Sequence, residues 1–136
     1  MDEFVEFKLK KAGGDKNKII LFIIVKKETI NYIPNMKDQV IKKYIDIVKS
    51  QPELYICVDA RKLQSISKKL SWEAASDLYR HNLLFSQHIR ASSFLVSSQT
   101  LINIMKLIEK IHPFVSPTKF CKDNSESINF LYKYMN

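Results

Sequence analysis

The 136-residue chain is 46% hydrophobic and 26% charged, with a formal net charge of +8. Those proportions fit one globular domain with one core, expected to span residues 1–136. A membrane-spanning helix is excluded, because the longest apolar run, IILFIIV from Ile19 to Val25, falls far short of the roughly 20 residues a bilayer requires.

The N-terminal stretch MDEFVEFKLKK is acidic and then alternating, so no secretion signal is expected. Cys57 and Cys121 lie in separate apolar segments. They are expected as buried, reduced thiols in a cytoplasmic protein. The basic balance invites an anionic partner. Only three of the 22 cationic residues are Arg, however: Arg61, Arg80 and Arg90. Bidentate recognition of phosphate or guanine favours Arg, which argues against nucleic acid. Enrichment in Lys, Ile and Asn together is also what an A/T-rich coding sequence produces.

In chain order, Phe4 to Lys10 alternates, with Val5, Phe7 and Leu9 on one face, and predicts a half-buried strand. The only glycines, Gly13 and Gly14, follow it where a hairpin needs positive φ. With both placed there, no Gly-dependent phosphate cradle or nucleophile elbow remains. Lys18 to Lys27 reads as a strand covered on both faces. A helix follows over roughly Met36 to Lys49, its inner stripe Val40, Ile41, Tyr44, Ile45 and Val48, with Lys37, Asp38, Lys42 and Lys43 facing out. Leu54 to Asp59 is a short apolar strand.

A second helix is predicted from about Trp72 to Phe85, with Ser71 as N-cap and Glu73 in its first turn. A strand at Ile89 to Val96 leads to the helix Gln99 to Ile111, capped by Ser97 or Ser98 and ended by His112-Pro113. Phe114 to Lys122 is a weaker strand interrupted by Pro117. Asp123 and Glu126 form a capping-box pattern before Ile128, Leu131, Tyr132 and Met135. The order ββαβαβαβα predicts an α/β fold: a single mixed, mostly parallel five-stranded sheet with four helices.

Three stretches carry a resemblance: YICVDARKL, HIRASSFLVSS and HPFVSPTKFCKDNSESINFLYKY. With the element order, they resemble the STAS domains, in their SpoIIAA-like branch. The resemblance covers nearly the whole chain in topology and is specific over about the last 85 residues. It implies a non-enzymatic regulatory or binding module. In anti-sigma-factor antagonists of the family, a Ser at the start of the second helix is phosphorylated and switches partner affinity. Here the family's Asp-Ser-Ser-Gly falls on Ser67-Lys68-Lys69-Leu70, so lysines stand in place of the switch serine. The SpoIIAA-like branch commonly lacks that serine, and some of its members are grouped with lipid-carrier-like domains.

The candidate binding residues are Asp59, Arg61, Lys62, Ser65, Ser67, Lys68, Lys69 and Ser71, at the carboxyl edge of the sheet where open α/β folds bind ligands. They are expected to dock a protein partner or an anionic ligand such as a lipid head group, with the chain as a monomer or homodimer. A solvated basic loop is the structural alternative. Asp59 is expected to serve locally, accepting backbone N–H bonds or pairing with Arg61, because no second acid stands on a neighbouring strand tip. His81, His88 and His112 lack the partners of a metal set. No catalytic group, metal or cofactor is therefore expected. Two rival readings follow: a lipid or membrane-surface binder with a basic face and an apolar groove between helices, and an enzyme centred on Asp59. The latter requires a deep pocket at the strand tip and a raised Asp59 pKa.

Overall fold

The computed structural model of the protein describes residues 3–12 and 18–135; the expected Gly13-Gly14 hairpin turn lies outside them. Strands β1 (Val5–Lys11), β2 (Ile19–Val25), β4 (Leu54–Asp59), β6 (Ile89–Leu95) and β7 (Thr118–Cys121) form one sheet in the order β1-β2-β4-β6-β7. Only β1 runs antiparallel to its neighbour. The chain between them supplies α1 (Pro34–Ser50), α2 (Lys68–Tyr79), α3 (Asn82–His88) and α4 (Gln99–Ile111), and α5 (Asn124–Tyr132) follows β7. Two elements had no strong sequence signal: β3 (Thr29–Ile30) and β5 (Ser65–Ile66), a two-residue parallel pair beside the main sheet.

Pairing register divides the side chains between two faces. On one, Tyr55 and Cys57 of β4 join Ala91 and Leu95 of β6, Cys121 of β7 and Leu131 of α5 in a closely packed core. Inside it Ser127 of α5 hydrogen-bonds Ser93 and lies 3.3 Å from Cys57 Sγ, so buried polar groups are partnered. Cys57 and Cys121 are free thiols. The other face carries Leu21, Leu54 and Ile56 against Val48 of α1 and Phe85 of α3. Beyond these, Leu101 of α4 joins Leu70 and Val96.

The predicted second helix is two helices, so there are five rather than four. Ser67, not Ser71, caps α2 by accepting from the Leu70 N–H, and Ser71 instead donates its hydroxyl to the Ser67 carbonyl at 3.1 Å. The Lys68-Lys69 turn looks polar in sequence, yet Leu70 within it is buried, which starts the helix a turn earlier. The break near His81 lacks Gly or Pro. There the imidazole Nδ1 engages the Asp77 carbonyl at 3.0 Å, while the His81 N–H shifts to Leu78.

Lys37, expected outward, is only 11% exposed and bonds Asp77 at 2.6 Å across the α1–α2 seam. Asp77 holds its pKa above the ordinary lysine value. The strand predicted from Phe114 shortens to Thr118–Cys121, because Pro117 precedes the ladder.

Leu131 is fully buried whereas Leu83 is 70% exposed. Leu131→Ala is expected to lower unfolding free energy by about 2–5 kcal/mol, and Leu83→Ala by less than about 0.5 kcal/mol. Urea titration of both variants checks the assignment of α5 to the densely packed face.

Candidate functional site: an apolar cavity between sheet and helices

The face opposite α5 contains a cavity of about 460 Å³. Its origin can be built from the register. One row across the sheet reads Phe7, Ile23, Val58, Phe94 and Phe120; the next reads Leu9, Leu21, Ile56, Ser92 and Thr118. The floor therefore drops from aromatic and aliphatic side chains to Ser92 and Thr118 at one end. Above it, α2 presents Ser71, Ala74, Ala75 and Leu78, an i, i+3, i+4, i+7 stripe whose first three members are small. Small side chains on both roof and floor leave the space between them unfilled.

Val40, Ile41 and Tyr44 of α1, Phe85 of α3, and Met105 and Ile108 of α4 complete the apolar wall. Tyr44 packs against Phe85 with the rings tilted and their centroids 5.3 Å apart, and burial pushes its phenol pKa up, so it stays neutral. The segment from His112 to Ser116 closes one end. There Tyr79, Phe114 and Val115 are each exposed as well as lining the cavity, which marks the mouth.

The polar side chains on the wall are hydroxyls, the Asn82 amide and the His112 imidazole. Thr118 donates its hydroxyl to the Ser116 carbonyl at 3.0 Å, and Ser71 is used as described above. His112 sets Nε2 3.2 Å from Ser76 Oγ and lays its ring 5.0 Å from that of Tyr79. Its Nδ1 is buried and has no hydrogen-bond partner among the described residues. None of the described lining residues is Lys, Arg, Asp or Glu.

The residues singled out from sequence fall in three places. Asp59 and Arg61 form a closed pair at the tip of β4. Arg61 donates Nε to Oδ1 at 3.0 Å and Nη2 to Oδ2 at 2.8 Å, and its backbone N–H also reaches Oδ1. The guanidinium holds the Asp59 carboxyl below the ordinary range. That is opposite to the raised pKa an Asp59-centred enzyme requires. The pair and Lys62 line a second hollow of about 360 Å³ with Ile24, Val25 and Lys26. Ser65, Ser67, Lys68 and Lys69 lie along β5 and the start of α2. Ser65 donates to Thr29 Oγ1, Ser67 caps the helix, and Lys69 sits 4.5 Å over the Tyr32 ring. Lys62 and Lys68 are exposed and make no ion pair among the described residues. Ser71 alone of the eight lines the large cavity.

From sequence, an apolar groove between helices enters only in a rival reading, and His112 only as a helix-ending residue that lacks the partners of a metal set. The signal that could have found the cavity is the small-residue stripe Ser71, Ala74 and Ala75. His81 and His88 each engage a backbone carbonyl, of Asp77 and Gln51 respectively. Of the aromatics on α2 and α3, Tyr79 and Phe85 reach the cavity, while Trp72 is half-buried and does not line it.

With this geometry in view, the chain belongs to the family described as Domain of unknown function (DUF7793), whose model matches residues 15–135. A comparison with curated proteins finds no match. Among solved structures, the fold is similar to that of an uncharacterized protein of the DUF3478 family with a SpoIIAA-like fold, from Shewanella loihica PV-4. The TM-score is 0.64 and identity 13%, with 94% of each chain covered. The chain thus has the SpoIIAA-like fold. No helix among the described residues is long and apolar enough to cross a membrane.

Because the Asp59 pKa is lowered by folding, the pair's stabilisation is complete above the ordinary carboxylate pKa. It is lost as pH falls through the lowered value. Asp59→Asn is therefore expected to lower stability near pH 7 and to leave it little changed at about pH 2. Urea unfolding of variant and wild type at both pH values checks this; equal differences at the two would mean that the pair contributes nothing.

Proposed function

We propose that this chain is a non-enzymatic binding module that takes an apolar or amphipathic small molecule into the cavity between the sheet and helices α1, α2 and α4. The observation that carries the reading is the cavity itself. Its volume of about 460 Å³ falls inside the roughly 300–1,000 Å³ of small-molecule sites. Apolar walls hold water poorly, and unfilled space costs about 24 cal/mol per Å³ in lost contacts. Filling a quarter of this volume would recover about 3 kcal/mol on that scale, a useful fraction of a stability of about 5–15 kcal/mol. The lipid-carrier grouping of some SpoIIAA-like domains agrees with such a ligand, and the +8 net charge favours encounter with anionic surfaces that hold lipid.

A second reading, docking of an anionic group or protein partner at the start of α2, draws on the exposed Lys62 and Lys68. The other six residues of that set contribute less free chemistry. Asp59 and Arg61 neutralise each other, Ser67 serves Leu70, and Lys69 rests on Tyr32. Ser65 and Ser71 each donate to a neighbour.

Ala75→Trp, which fills the cavity from α2, is expected to weaken binding of the neutral fluorophore Nile red by about tenfold or more. Lys62→Glu combined with Lys68→Glu is expected to leave that binding unchanged. Circular dichroism confirms folding, and Ile108→Trp, which fills the space from α4, replaces Ala75→Trp if the latter unfolds. Undiminished Nile red binding in a folded, filled variant would remove the cavity as the site.

A further inference from the structure

Resting on the cavity reading, we infer that the rim of the cavity mouth is a docking surface for an anionic lipid bilayer, from which the ligand enters. Tyr79, Phe114 and Val115 line the cavity and are also exposed. The apolar rim continues onto α4. There Ile111 immediately precedes the segment from His112 to Ser116 that closes one end, and Leu107 stands one turn before it on the same side of the helix. Leu107 and Ile111 are 52% and 60% exposed. Large apolar side chains gathered beside an opening mark an interaction surface, where single exposed ones would not.

Charge identifies what covers it. Lys106 and Lys110 form an i, i+4 pair on the stripe beside Leu107 and Ile111. Both are exposed and make no ion pair among the described residues. Glu109, also exposed, is two positions from Leu107 and from Ile111, which at about 100° per residue puts it on the other side of α4. A protein partner burying this rim would have to desolvate the two ammonium groups, and Lys is depleted in protein–protein interfaces. A bilayer makes no such demand. Lysine stems lie along apolar surface while their ammonium groups reach anionic head groups, and Tyr79, with an apolar ring and a polar tip, suits the boundary between head groups and hydrocarbon. No helix among the described residues is long and apolar enough to span, so the contact made by this rim is peripheral. Apolar ligands concentrate in the bilayer and are scarce in water, so a mouth set on the membrane receives its ligand without an aqueous step.

The test is co-sedimentation of the full chain with vesicles at physiological ionic strength, made of phosphatidylcholine alone or mixed with phosphatidylserine. The mixed vesicles are expected to bind about tenfold or more tightly than the neutral ones, a comparison that requires no variant. Lys106→Glu combined with Lys110→Glu is expected to remove that preference. Leu107→Ser combined with Ile111→Ser is expected to weaken binding to the mixed vesicles about tenfold or more. All four positions are exposed, so both variants are expected to fold and to keep Nile red binding within about twofold. Lys62→Glu combined with Lys68→Glu makes the same charge change away from the rim, Lys68 beginning the helix that Tyr79 ends. With screening over about 8 Å, it is expected to leave vesicle binding within about twofold. Equal binding to the two vesicle types, an equal loss from the Lys62 and Lys68 pair, or a folded Leu107 and Ile111 variant that binds as wild type overturns the inference, while Nile red binding keeps the cavity reading. A dimer in sedimentation velocity that this variant dissociates, with no vesicle binding, also overturns it and assigns the rim to a second copy of the chain. Absence of Nile red binding removes the cavity reading and the inference with it.

Discussion

The register of β4 between β2 and β6 is the constraint on which the other features depend. Beyond the bulge where Leu54 pairs with Ile89 and Tyr55 with Ala91, side chains alternate along the strand, so a slip of one residue would exchange the two faces of the sheet. The observed register sends Tyr55 and Cys57 toward α5 and Ile56 and Val58 toward α1 and α2. The buried Ser93–Ser127–Cys57 contacts fix that choice. Any slip would separate their hydroxyls inside an apolar core, at the desolvation cost of each unpaired group. A few polar atoms on the dense face therefore determine which residues floor the cavity on the other.

The two faces use different means of cohesion. Against α5, apolar side chains meet with little exposed area, and Tyr55 donates its hydroxyl to the Tyr134 carbonyl at 2.7 Å to hold the end of the chain. Against α2, the small residues facing the sheet cannot provide comparable contact. The α1–α2 seam is held instead by polar links: Lys37 to Asp77, Lys37 within 3.8 Å of Glu73, and Tyr32 donating to Glu73 at 3.0 Å. Such links keep the helix in place without requiring that its inner face be filled. A hollow can persist there because the roof is tied to its neighbouring helix as well as to the floor.

The same distinction explains what could be read from the sequence. Strands β1, β2, β4 and β6, and helices α4 and α5, announce themselves because each pairs a clear period with an end signal: Ser98 before Leu101, or Asp123 before Glu126. Cys57 and Cys121 are buried in the core as small hydrophobes. The start of α2 was misplaced because two lysines disguise a turn whose Leu70 is buried. The α2–α3 break was missed because it depends on a histidine side chain competing for a carbonyl and not on Gly or Pro. Lys37 was misassigned because its partner Asp77 is distant in sequence. Local pattern reports what a helix presents, but a cavity depends on what fails to oppose it. Ala74 and Ala75 acquire meaning only above Ser92 and Thr118.

The strand tip at Asp59 and the cavity illustrate two opposite uses of polarity. At the tip, acid and base stand two residues apart and close on each other, so the charge most suggestive of chemistry is compensated by its neighbour. The described residues that line the cavity include no Lys, Arg, Asp or Glu, and behind that wall the buried Nδ1 of His112 has no partner among the described residues. Ionic groups exposed at the surface contribute little because water competes for them, whereas a polar group buried without a partner costs its desolvation in full. The strand tip is thus a closed ion pair in a basic chain, whereas the space beneath α2 is bounded by described residues that include no Lys, Arg, Asp or Glu.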